Sequence, residues 1–123
     1  MKYISIRVHG IPYGGSRKAR GDKIAPVKWS TEIKEKTKGL PKIIEASILR
    51  VTFLLPPDKF PTDYPFGPDL DNLLKRFLDA LNETVFSEAK GKDSCVISMN
   101  VTKAKVDSSD EAGVYFEILP IKV

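Results

Sequence analysis

Hydrophobic residues recur along this chain with two different periods. Between residues 70 and 85 they fall at Leu70, Leu73, Leu74, Phe77, Leu78, Leu81 and Val85. That is one continuous face of a helix with 3.6 residues per turn. The opposite face holds Asp71, Asn72, Lys75, Arg76, Asp79 and Asn82, so a helix that buries the first set presents the second. Elsewhere the period is two. Tyr3 to Val8 reads as a strand with Ile4, Ile6 and Val8 inward. Ala46 to Leu55 reads as another, with Ser47, Leu49, Val51, Phe53 and Leu55 on one side and Pro56-Pro57 as its stop. Cys95 to Lys103 aligns Ile97, Met99, Val101 and Lys103, and Gly113 to Leu119 aligns Val114, Phe116 and Ile118. A shorter helix is expected over Ser30 to Lys38, capped by Ser30 or its predecessor and closed by Gly39, with Trp29 and Ile33 inward. Lys105 to Ala112 reads as a polar hairpin connection between the last two strands. The order β-α-β-α-β-β predicts an α+β domain over residues 1–123, a mixed β-sheet with helices packed on it.

The polar side of the central helix carries the candidate chemistry. Asp69 and Asp71 stand at its mouth, behind a loop with five prolines between Pro56 and Pro68. In regular helix, residues two apart point about 200° away from each other. The two acids converge only if the helix starts near Asp71 and Pro68 holds Asp69 in an extended approach. A bland alternative makes Asp71 an N-cap and its neighbour an acid favoured by the helix dipole. Two carboxylates about 5 Å apart at an effective dielectric of about 20 repel by roughly 3 kcal/mol, and a cap needs only one of them. A divalent cation would account for both. An EF-hand is excluded, because its fifth, sixth and twelfth positions counted from Asp69 are Leu73, Leu74 and Ala80. Zinc lacks ligands, since His9 and Cys95 are the only histidine and cysteine. A hard ion such as Mg²⁺, with Mn²⁺ as substitute, remains. Asp93, ahead of the third strand, completes a three-carboxylate cluster if the chain returns it to the helix mouth, with Lys75 one turn behind Asp71. Such a site suits phosphodiester hydrolysis.

Composition adds a partner. The chain is 41% hydrophobic and 29% charged with a net charge of +4, too mild to implicate a polyanion by itself. The charge is uneven, however. Arg17, Lys18, Arg20, Lys23 and Lys28 crowd a Gly/Pro-interrupted stretch opposed only by Asp22. It is either a solvated loop or an arm that follows a sugar-phosphate backbone without reading bases. A single cysteine fits a reducing, cytoplasmic setting, and no apolar run approaches a membrane span.

Pro68-Asp69-Leu70-Asp71-Asn72-Leu73-Leu74-Lys75, continued by Asp79-Ala80-Leu81, resembles the D-x-D-N-x-x-K…D-A-L signature of RusA-type Holliday junction resolvases. Asp93-Ser94-Cys95-Val96 is similar to the D-D-x-x-V segment that follows it, and Lys103 falls where that family has a lysine late in the next strand. The resemblance implies a single RusA-like endonuclease domain: a homodimeric, Mg²⁺-dependent enzyme that makes paired cuts in four-way DNA junctions during recombination and repair. It implies Asp69, Asp71 and Asp93 as metal ligands and Lys75 as an essential basic residue. Arg17, Lys18, Arg20, Lys23, Arg76 and Lys103 are the expected DNA contacts. Lys92 stands where the family often has a second acid, and Glu88 is the candidate substitute. Two further readings stay open: a dimer that binds branched DNA with weakened catalysis, and an interaction protein whose acids only cap a helix.

Overall fold

The computed structural model describes residues 3–14, 24–60 and 66–122. Four strands, β1 (Ile4–His9), β2 (Ser47–Leu55), β3 (Val96–Lys105) and β4 (Gly113–Pro120), form one sheet in the order β1-β4-β2-β3. β4 runs antiparallel to both β1 and β2, whereas β3 runs parallel to β2. A parallel neighbour needs a crossover, and α2 (Leu70–Leu81) supplies it. The other helix, α1 (Ile24–Thr37), leads from β1 to β2. The architecture is α+β, a mixed sheet with helices packed on it.

Alternation along the strands decides which face is covered. Ile4 and Val8, Leu49, Val51 and Phe53, and Val114, Phe116 and Ile118 form the floor of the core. Trp29 and Ile33 from α1, and Leu73, Phe77 and Leu81 from α2, lie on top of it. Phe77 is the keystone, meeting Phe53 edge-on at 5.8 Å between ring centroids and Phe116 at 5.0 Å. The opposite face of the sheet is polar, with Tyr3 donating to Glu117 at 2.6 Å and Ser5 bonded to Tyr115 at 2.8 Å.

Three expectations change. The first helix starts at Ile24, not Ser30, because Pro26 falls in its first turn, where a missing N–H costs nothing. α2 ends at Leu81, so Val85 is buried from the following turn and not from the helix. The connection from β3 to β4 is no hairpin. It passes the end of β2, where the Val106 N–H donates to the Leu55 carbonyl at 2.8 Å, and β4 inserts between β1 and β2. Pairing there buries Val114, Phe116 and Ile118 between two apolar strands, whereas β3 offers Lys103 and Lys105 on its inner face. No helix among the described residues is long and apolar enough to cross a membrane.

Candidate active site

α2 begins at Leu70, which makes Asp69 its N-cap residue, and Asp69 is extended at φ −67° and ψ 143°. Proline ahead of it and helix behind it thus give the approach the sequence demands. An N-cap aspartate ordinarily accepts an N–H from the first turn. Asp69 makes no such side-chain bond. Asp71 lies inside the first turn, exposed, and its Oδ1 accepts the N–H of the next residue, Asn72, at 3.0 Å. Neither acid is explained by capping, and the reading that makes Asp71 the N-cap is set aside.

The loop before Asp69 is held tightly. Phe66 has φ 62° and Gly67 has φ 83°, two successive left-handed residues. A methyl at Gly67 would run into the backbone carbonyl of Lys59. Gly67→Ala is therefore expected to lower stability by about 1–2 kcal/mol from the backbone conformation alone, and by more from the clash. Urea unfolding measures it, and an unchanged midpoint would mean the turn is not built this way. Lys103, reaching over from β3, donates to the carbonyls of Phe66 and Pro68, both at 2.9 Å, and lies 5.5 Å from the centre of the Phe60 ring.

Along the polar side of α2 runs an open cavity of about 270 Å³, lined by Asp71, Leu74, Lys75, Leu78, Asp79 and Asp93. Leu74 and Leu78, expected inward with the core, are only half-buried and form its apolar wall. Asp79, not among the expected site residues, lines it because residues 71, 75 and 79 are each one turn apart. Asp93 sits in a 3-10 turn (Lys92–Cys95) that precedes β3, and its Oδ2 accepts the Asn82 side-chain N–H at 2.9 Å. Asn82 is the residue after the end of α2, so Asp93 is tied to the C-terminal end of the helix while sharing the one cavity with Asp71. Among the described residues no three acidic, histidine or cysteine side chains gather closely enough to hold one metal ion. The donor chemistry, carboxylate oxygen throughout, suits Mg²⁺ or Mn²⁺, but the placement within one chain does not fit a single three-carboxylate ion.

The remaining candidates divide. Arg17, Lys18, Arg20 and Lys23 lie outside the described residues. Gly14, the last described residue before that stretch, packs closely on Pro68 and Leu73 at the mouth of α2. Arg76 stacks its guanidinium on Tyr13 at 5.4 Å from the ring centre. Lys103, expected among the DNA contacts, turns two of its three donors to the loop. Lys92 directs its ammonium to the Ser87 carbonyl at 3.1 Å, and Glu88 is exposed outside the cavity lining. Burial raises the Cys95 thiol above its ordinary pKa, which lowers its fraction of reactive thiolate.

None of the curated proteins compared with the chain matches it. The profile of the family described as endodeoxyribonuclease RusA matches residues 27–118, a span that holds α2, the sheet from β2 onward, and Asp69, Asp71, Lys75 and Asp93. With most of its length covered by that profile, the chain belongs to the RusA endodeoxyribonuclease family.

Proposed function

We propose that this nuclease-family chain resolves four-way DNA junctions in recombination and repair, working as a homodimer that requires Mg²⁺, for which Mn²⁺ can substitute. The observation that carries the proposal is the acid pair at the mouth of α2, Asp69 without a capping bond and Asp71 bonded, among the described residues, only to its neighbour's amide. Acids held in that state are free for a ligand. In this reading Asp69, Asp71 and Asp93 are the metal ligands and Lys75 presents its ammonium to a phosphate oxygen from the same side of the helix.

Among the described residues of one chain no three acids gather closely enough for a single ion, and that gives a dimer a chemical purpose. A second copy related by a two-fold axis can set its own Asp93 against the first copy's Asp69 and Asp71. Two such composite sites would face the two strands of a two-fold junction. Arg17, Lys18, Arg20 and Lys23, which follow Gly14 in the sequence, and Arg76 on the helix are the proposed phosphate contacts. They fix register without reading sequence.

Incubation with an end-labelled mobile four-way junction and Mg²⁺ should yield paired nicks placed symmetrically about the crossover. A linear duplex of the same sequence should remain intact, and equal cutting of both substrates would refute junction specificity. A second reading is a branched-DNA-binding dimer with weakened catalysis, favoured by Lys92 beside Asp93. It predicts gel shifts that weaken steeply with salt and no product with either metal.

A further inference from the structure

We propose that Lys103 is a positioning residue that fixes the peptide carrying Asp69 and does not contact DNA. This rests on the reading of Asp69 as a site acid. Lys103 pairs with Phe53 across β2 and β3, on the inner face of the sheet, where it is half-buried. An ammonium facing inward must recover its lost hydration from acceptors, or its stem must carry it back to water. Here it is held by the carbonyls of Phe66 and Pro68, with the Phe60 ring beside it.

The second of those carbonyls matters most. The Pro68 carbonyl lies in the same planar peptide unit as the nitrogen and Cα of Asp69. A bond to that oxygen therefore restrains the plane from which the Asp69 side chain springs. The left-handed pair Phe66 and Gly67 turns the chain so that one ammonium reaches both carbonyls. Phe66 also packs edge-on against Phe60 at 6.2 Å, closing the turn from the other side. Asp69 makes no capping bond of its own, so this external hold takes the place of a helix-end anchor.

Lys103→Met and Lys103→Arg in the full chain test the proposal by hydrogen–deuterium exchange and by junction cleavage. Exchange in a peptide covering Phe66–Leu73 should accelerate roughly tenfold in Lys103→Met while β4 stays protected. The kcat should fall about ten- to a hundredfold through misplacement of Asp69, with KM for the junction unchanged. Lys103→Arg, which can still donate to two carbonyls, should recover most of both. The salt slope of junction binding should be unaltered, whereas loss of a phosphate contact would lower it by about 0.9. Unchanged exchange in the Phe66–Leu73 peptide would overturn the proposal, as would a lowered salt slope with kcat retained. If the wild-type protein cuts no junction, the nuclease reading falls and the exchange arm alone decides the role of Lys103. Should Lys103→Met fail to fold, Lys103→Gln takes its place in the same comparison.

Discussion

Asp71→Asn is expected to abolish junction cutting, and mixing it with Asp93→Asn is expected to bring cutting back. Removing the carboxylate charge at Asp71 should reduce cleavage by more than about a hundredfold, the upper end of what even outer-layer groups cost at metal sites. The fold should tolerate the change, because the amide oxygen of the replacement can still accept the Asn72 N–H that Asp71 accepts. Relief of repulsion at the helix mouth should leave the metal-free melting temperature unchanged or slightly raised. The mixing experiment follows from the geometry of α2. Asp93 is tied to Asn82 at one helix end and Asp71 stands at the other. If sites form across a two-fold axis, a heterodimer of the two variants has one site with both acids replaced and one with both intact. Single nicks should return on mixing two proteins that are each inactive alone. No recovery, with heterodimer formation verified by tagged pull-down, would place the acids of each site in one chain and defeat the composite arrangement.

Phe77→Ala should cost about 3–5 kcal/mol, the range for deleting a fully buried aromatic ring. Set against a total stability of about 5–15 kcal/mol for a domain of this kind, the loss removes much of the margin. Phe77 is fully buried and bridges α2 to β2 through Phe53 and to β4 through Phe116, at 5.8 and 5.0 Å. The same ring holds α2 in register on the sheet, and α2 carries Asp71, Lys75 and Asp79. Urea unfolding followed by circular dichroism gives the stability, and cleavage at low temperature reports on what folded protein remains. A destabilisation below about 1 kcal/mol would show that the helix is docked by other contacts. Phe77→Leu, which keeps much of the volume, should sit between the two.

The elements were legible because their causes are local. The two-residue period of Leu49, Val51 and Phe53 and the 3.6-residue period through Leu73, Phe77 and Leu81 each say which side must leave water, and all six are buried. The start of α1 is not legible locally, because Pro26 in a Gly/Pro-interrupted stretch signals a break as readily as the first turn of a helix, which accepts proline. The extended approach of Asp69 was readable from Pro68, whereas its freedom from capping was not. Capping depends on a rotamer set by the tertiary surroundings and not by the motif.

By itself, then, the sequence determined the helix that bears the acids, the inward residues of β1, β2 and β4 and the family to which the signature belongs, since period, proline and motif spacing act over a few residues. In β3 a register shift at Ile97 breaks the expected alignment with Met99, and both are exposed. Only the tertiary structure decided that β4 enters between β1 and β2, that Lys103 closes on the Pro68 carbonyl, and that Asp93 accepts a bond from Asn82 just past the end of α2. Those outcomes depend on which distant segments bury one another, and no period or motif that acts over a few residues carries that information.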